Sequence, residues 1–428
     1  MPTSPDADIA VAFLGGFPGE TAAGFHALRI CRGLQLSGWR PLMLTVGYGS
    51  QSPPAWTEGA DATWAIPYRA AVVTAWRAPL AHLLLNYRAG KRLEAMFGGL
   101  AGGGRIRACI FLGSSWFAFR GLLAVCERYG ILAVSYPTEY PMLRNWTWLV
   151  VGGYFDTMAH IYALLPHVDG IIGISAFWAG FASNWDKPFT VIPSYAPSDT
   201  PHSGAPSRAR GRHSGEEFHI VTVGHWTPRE LPMVLLRAIR DLAEAGLNIR
   251  YTAVGRVGAF LSERSAVRFC MKAAALQGIV RITGWVDEGQ KAEILSRADA
   301  FVLLRKDDVE TAASFPTRLP EYLDVGRPVI LSSAGDPPLY LRHGVSALVL
   351  PSDGLRSGLR NAIIHLSQNP ELAAQIGRAG AVQGEESFSI RGNGRKMSQF
   401  LLSLRARGSS QRGRPRRAES ELVRRGSW

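Results

Sequence analysis

Ile9 to Leu14 (IAVAFL) is a short, unbroken apolar run that ends in a turn-forming stretch, Gly15-Gly16-Phe17-Pro18-Gly19. A helical period follows over Glu20 to Leu36, with Phe25, Leu28, Ile30 and Leu34 apolar. Gly38 then precedes a second apolar run, Pro41 to Val46. Two parallel strands need a crossover between them, and a glycine turn feeding a helix is how a doubly wound α/β sheet begins. The pattern returns in the second half. Phe218 to Val223 runs into Gly224, Leu231 to Ala245 is helical, and Ile249 to Val254 ends at Gly255. Residues 195–216 between them are rich in Pro, Ser, Gly and Arg and poor in apolar side chains, which is the composition of a linker. The expected fold is therefore α/β, with two Rossmann-like doubly wound domains at residues 1–194 and 217–388. A length of 428 residues suits two such cores.

Further strands are expected at Ile106 to Leu112 and Ile131 to Tyr136 in the first half and at Val329 to Leu331 in the second. Helices are expected near Phe117 to Tyr129, Gln290 to Ala298, Asn361 to Ile376 and Arg395 to Leu404, the last packing back on the first domain as residues 389–404. The net charge of +13 is uneven, because the tail from Arg405 carries eight arginines against two glutamates. A nucleic-acid-binding protein would instead cluster its basic residues on the folded body, so no nucleic-acid partner is expected. Residues 405–428 read as a disordered basic tail.

The four cysteines lack C-x-x-C spacing and read as buried thiols, giving neither a disulfide framework nor a zinc site. No basic n-region precedes the first apolar run, and the most apolar window, Trp146 to Pro166, contains Asp156 and His160. A cytoplasmic protein is expected. Ala75 to Phe97 mixes Trp76, Leu80, Leu83, Leu84 and Tyr87 with Arg77, Arg88, Lys91 and Arg92. Such a helix can lie on an anionic bilayer at the inner face of the plasma membrane, or pack in the core with a solvated basic face.

Ala313 to Ile330 (ASFPTRLPEYLDVGRPVI) carries the densest chemistry. Phe315, Leu319, Tyr322 and Leu323 form one apolar stripe, Pro316 suits a first helical turn, and Pro320 marks a possible start of the regular helix. The N–H groups at a helix start favour phosphate, and Thr317 and Arg318 can add a hydroxyl and a guanidinium fork. Here the chain resembles the GT-B nucleotide-sugar glycosyltransferases, particularly glycosyltransferase family 4. Family members carry two glutamates separated by seven residues ahead of G-x-P-V. Glu321 is the second and Gly326-Arg327-Pro328-Val329 follows it, but the first falls on Ala313.

The resemblance implies two domains facing across a cleft and transfer of a sugar, with retention and without an obligatory metal, from a nucleotide-diphosphate sugar such as a UDP- or GDP-sugar. No further cofactor is implied. The acceptor would be a glycan or lipid-linked polysaccharide precursor, with possible peripheral contact with anionic membrane. Glu321 would accept both ribose hydroxyls. The donor site would draw on Gly16, Gly224, His225, Arg229, Gly255, Thr317, Arg318 and Leu319. The usual basic pair of the first loop is replaced here by His225, Glu230 and Leu231, so Arg229, Arg318, Arg305 and Lys306 are the substitutes. Glu139, in YPTEYP at a strand's carboxyl end, and His26, near the first glycine loop, are the catalytic candidates. Taken singly, each glycine reads equally well as a structural turn. No D-x-D stands at a strand end, and no acid/base cluster suits an epimerase. The alternative to an enzyme is a catalytically silent GT-B module that binds a nucleotide sugar or a partner.

Overall fold

The computed structural model describes residues 6–15, 21–49, 57–61, 64–74, 81–141, 148–197, 216–224, 226, 228–255 and 278–412. The first sheet holds β1 (Ile9–Leu14), β2 (Pro41–Gly49), β3 (Thr57–Ala60), β4 (Pro67–Thr74), β5 (Ala108–Leu112), β6 (Leu132–Tyr136), β7 (Gly170–Gly173) and β8 (Phe189–Val191). Their spatial order is β3-β4-β2-β1-β5-β6-β7-β8, and only the β3–β4 pair is antiparallel. Ile9 lies opposite both Pro41 and Ala108, so the winding direction reverses across β1. Every residue of β5 is buried, as expected of a strand covered by helices on both faces. Those helices are α1 (Ala22–Gln35), α2 (Ala81–Ala101), α3 (Trp116–Tyr129), α4 (Trp148–Ala159) and α5 (Trp178–Asn184). Thr21 caps α1 by accepting from the Gly24 amide at 3.1 Å, and Ser115 caps α3 by accepting from the Ala118 amide at 3.2 Å.

The second sheet holds β9 (Phe218–Val223), β10 (Ile249–Val254), β11 (Val280–Ile282), β12 (Ala300–Leu303), β13 (Val329–Ser332) and β14 (Leu348–Leu350). Its order, β11-β10-β9-β12-β13-β14, is parallel throughout and reverses at β9. The helices of this half are α6 (Pro232–Glu244), α7 (Glu288–Ser296), α8 (Val309–Ala312), α9 (Leu319–Asp324), α10 (Pro337–Tyr340), α11 (Leu355–Gln368), α12 (Pro370–Phe388) and α13 (Ile390–Arg412). A reciprocal box between Asp287 and Gln290 starts α7.

The α/β class and the two parallel sheets agree with the sequence reading, and several details differ. The pair β3 and β4 was not expected; β4 is half-buried over Pro67 to Arg69, buries Ala70, Ala71 and Val73, and adds to the edge of β2. The single helix expected over Asn361 to Ile376 is two helices, because Pro370 cannot continue α11. The expected linker starts too early: Tyr195 is fully buried, and the Ala196 amide donates to the Phe388 carbonyl at 2.8 Å. Residues 198–215 lie outside the described residues. The last helix runs to Arg412 instead of ending at Leu404, and residues 413–428 are not described.

The basic helix expected from Ala75 is described from Ala81, as α2. It buries Ala89, Leu93, Met96 and Phe97, and Gly90 seats it against the Phe117 carbonyl at the start of α3. No helix among the described residues is long and apolar enough to cross a membrane.

Two groups of contacts bring the halves together. α13 crosses α1 where Gly33 and Gly394 meet; a Cβ on Gly33 would lie 2.9 Å from the Gly394 Cα. Trp39 Nε1 donates to Ser398 Oγ at 2.9 Å beside that crossing. On the other side of the sheet ends, Trp178 on α5 donates through Nε1 to the Ala313 carbonyl at 2.9 Å. Asp336 accepts from the Ala176 amide at 2.6 Å. The apolar core continues through Trp178 to Ala313, Phe315 and Tyr322.

Candidate active site

A cavity of about 680 Å³ opens between the carboxyl ends of the two sheets. Leu14, Leu112 and Ile174 mark the ends of first-domain strands on its wall, while Arg229, Arg305, Glu310, Ser314 and Thr317 face it from the second domain. Ligands of open α/β sheets collect at this edge because the strand order reverses there and leaves a crevice.

The second-domain wall is built around the end of β9. Tyr322 on α9 stacks on Phe301 at 4.5 Å and accepts from the Val223 amide at 2.6 Å. Arg318, one turn earlier, donates to the Val223 carbonyl, so α9 clasps both polar groups of that peptide unit's residue. Gly224 has φ +113, and a side chain there would strike the Arg318 guanidinium. Gly255, at φ +142, is pressed against the Gly224 backbone. Only glycine combines that conformation with that proximity.

Three arginines converge behind this turn. Arg318 forms an ion pair with Glu230, and Arg305 lies 3.7 Å from the same carboxylate. Arg229 pairs with Glu310 at 3.3 Å. Ser314 Oγ accepts from Arg305 at 3.0 Å and from Arg229 at 3.5 Å. The Lys306 amide donates to the Arg229 carbonyl at 2.9 Å and ties the two loops together. Arg305 is 8% exposed, and its Nε has no partner among the described residues. Burial, with Arg229 second, pushes its pKa down to about 9. Burial also lowers that of Arg318. Three guanidiniums held by Glu230 and Glu310 and largely shielded from water make a site that an anion would engage.

The expected site residues do not all meet. Thr317 is exposed on the cavity wall. Leu319 is a correction: its side chain is fully buried and its amide donates to the Pro316 carbonyl at 3.0 Å, so it offers a ligand nothing. Glu321 stands off the cavity wall and pairs with Lys291 at 2.7 Å, while Lys291 also holds Glu288 at 2.7 Å. Regular helix starts at Leu319, with Pro320 in its first turn and Pro316 before it. Ala313, where the resemblance puts a glutamate, is fully buried under Trp178. Gly16 and His225 lie outside the described residues.

Both catalytic candidates line the cavity. Glu139 is exposed, and its backbone carbonyl accepts from Ser114 Oγ at 3.3 Å. His26 is 5% exposed between the rings of Tyr136 and Tyr195, each 5.5 Å away. Neither ring nitrogen has a partner among the described residues. Burial, helped by Arg29, pushes its pKa down to about 3, so the ring is neutral at physiological pH. Such a group can accept a proton transiently or donate one hydrogen bond.

One part of the wall was not anticipated: Tyr48, Asn86, Ser115 and Asp156 form a hydrogen-bonded set on the first domain. The one sequence signal for it was an aspartate inside the most apolar window of the chain. Among the described residues, no group of three or more His, Cys, Asp or Glu is placed to hold a metal.

Residues 205–383 match the family described as glycosyl transferases group 1. No curated protein sequence matches the chain. Solved structures do. Sucrose-phosphate synthase of Thermosynechococcus elongatus is 16% identical with a TM-score of 0.70, over 93% of this chain and 99% of that one. Anabaena HepE in complex with UDP-glucose is 14% identical with a TM-score of 0.62, over 92% and 99%. The catalytic domain of Arabidopsis thaliana starch synthase IV, bound to ADP and acarbose, is 10% identical with a TM-score of 0.67, over 94% and 99%. The two doubly wound sheets and the cleft between them give this chain the GT-B fold, and its second half matches the group 1 glycosyl transferase family.

Proposed function

We propose that the protein transfers a sugar from a nucleotide-diphosphate sugar to an acceptor held by the first domain, with retention and without an obligatory metal. The observation that carries this reading is the pair Arg229 and Arg305 on the cavity wall, with Arg318 behind them against Gly224 and sharing Glu230 with Arg305. Guanidiniums and close-approach glycines are groups that suit a diphosphate. Structures with the same fold contain UDP-glucose, UDP or ADP, which supports a nucleotide donor for this chain too.

In the reaction the bond from the anomeric carbon to the phosphate oxygen breaks, and that carbon bonds to the acceptor oxygen. Arg305 and Arg229 meet the charge that develops on the leaving diphosphate. The acceptor's proton leaves toward one of the groups on the cavity wall, the Glu139 carboxylate or the neutral His26 ring. Glu321 takes the ribose hydroxyls once Lys291 turns aside.

The acceptor in this reading is a lipid-linked or cell-surface polysaccharide precursor, reached from the cytoplasmic face of a membrane. Phe155 on α4 and Tyr162 just beyond it support it, at 61% and 57% exposed, while Gly153, Tyr154, Asp156 and Thr157 of α4 line the cavity. Two features favour a second reading, a silent nucleotide-sugar-binding module: Ala313 is buried under Trp178, and Glu230 occupies Arg318.

Calorimetry with UDP, GDP and ADP should show binding of at least one, and failure of all three at millimolar concentration overturns both readings. Nucleotide release from mixed UDP- and GDP-sugars then separates enzyme from silent module. Salt-dependent binding to anionic vesicles, reduced by truncation after Leu404, tests the membrane contact.

A further inference from the structure

The hydrogen bonds of the first-domain wall have a direction that the chemistry of their groups fixes. Asp156 is 1% exposed and accepts three: from the Phe117 amide at 2.9 Å, Ser115 Oγ at 2.6 Å and Asn86 Nδ2 at 2.7 Å. A carboxylate with donors on both oxygens presents no proton, so the Asn86 amide must turn its NH₂ toward it. The Asn86 carbonyl then faces Tyr48, and Tyr48 spends its single O–H on it at 2.7 Å. A phenol whose proton is committed can only accept from a further partner. Tyr48 is 43% exposed and lines the cavity, so its remaining lone pairs are within reach of a ligand. A phenol is protonated at neutral pH in any case, and burial of most of the side chain together with Asp156 pushes its pKa further up, to about 12. Each bond in such a chain polarises the next, which strengthens what the terminal oxygen can accept.

The surroundings narrow the ligand. Ser114, Thr138 and Thr157, which carry hydroxyls, line the same cavity, as do the aromatic residues Tyr140 and Tyr154. An aliphatic alcohol would desolvate those hydroxyls without replacing their hydrogen bonds. A sugar ring offers hydroxyls to them and its C–H face to the aromatic rings.

We infer that the reacting end of the acceptor is a carbohydrate, and that one of its hydroxyls donates to Tyr48 Oη, the open end of the Asp156–Asn86–Tyr48 chain. This rests on the transfer reading in naming the sugar an acceptor; the subsite itself does not depend on the donor.

The test uses the full chain with saturating UDP and a panel of mono- and disaccharides, followed by calorimetry. The tightest sugar is then compared with its monodeoxy and monodeoxyfluoro analogues. Fluorine can accept a hydrogen bond but cannot donate one. At one ring position, therefore, the deoxy and fluoro sugars should both bind about 3- to 10-fold more weakly than the parent. In Tyr48→Phe the parent should weaken by the same factor, and that deoxy penalty should vanish.

The inference fails if the fluoro sugar keeps the parent's affinity while the deoxy sugar loses it, since the tyrosine proton then points at the ligand. A deoxy penalty that survives in Tyr48→Phe also sinks it. So does binding of UDP by a protein that takes no sugar of the panel, or a Tyr48→Phe effect confined to UDP-sugar. Tyr48-dependent sugar binding by a protein that binds no nucleotide would leave the subsite standing and overturn the transfer reading instead.

Discussion

Glu230 occupies the place where a diphosphate would press hardest, and Glu230→Gln measures what that costs. Its carboxylate pairs with Arg318 and lies 3.7 Å from Arg305, with side-chain exposures of 14%, 16% and 9% for the three residues. A phosphate oxygen bound to Arg305 would sit about 6 Å from Glu230, where unit charges repel by ~3 kcal/mol at an effective dielectric of about 20. Solvent reaches both groups, and screening reduces this to roughly 1–1.5 kcal/mol. Glutamine keeps the size and removes the charge, so UDP should bind about 5- to 10-fold tighter in low salt. Uridine should be unchanged, since it brings no phosphate.

The unliganded variant should melt below the wild type, because Arg318 is left buried beside a neutral partner. Its melting temperature should rise more on adding UDP. Calorimetry with UDP and uridine, at two salt concentrations, reads all of this. If Glu230→Gln leaves UDP affinity unchanged or weakens it, Glu230 holds Arg318 in position for the ligand, and the competition argument is wrong.

Three other outcomes follow from named contacts. Arg318→Ala should weaken UDP by ~10- to 150-fold while hardly affecting uridine; equal loss for both would mark a folding defect. Glu321→Ala should cost ~2–4 kcal/mol of donor binding and Glu321→Gln less, and the alanine variant should no longer discriminate against a 2′-deoxy donor. Equal discrimination by wild type and variant would place the ribose elsewhere. His26 has its folded pKa lowered from 6.5 to about 3, so between those values the unfolded chain binds the extra proton. Its contribution to stability is complete above about pH 6.5 and is lost as pH falls toward 3. Denaturant titrations from pH 7 to 4 should show a shallower acid loss in His26→Phe than in wild type, and an unchanged slope would deny the burial of the neutral ring.

Local patterning was enough for the outline of the fold. β1, β9 and β10 have the bounds their mostly apolar runs announce, because each is a β-favouring segment ended by glycine, although His219 and Thr222 interrupt β9 and Arg250 and Thr252 interrupt β10. Helix α6 is legible for a similar reason, its apolar positions recurring on one face. The G-R-P-V turn and Glu321 were enough to suggest the nucleotide-sugar class.

What those residues touch was not legible. Glu321 pairs with Lys291, thirty positions earlier; Ala313 is capped by Trp178 from the other domain; and Tyr48, Asn86 and Asp156 come from three separate elements. Periodicity records which side of an element faces inward, and says nothing of which distant element it faces. That choice depends on how the sheets twist and where the two domains close. Only the tertiary structure could show that Arg305, one of four basic residues the sequence left open, reaches the cleft while Leu319 is turned into the core.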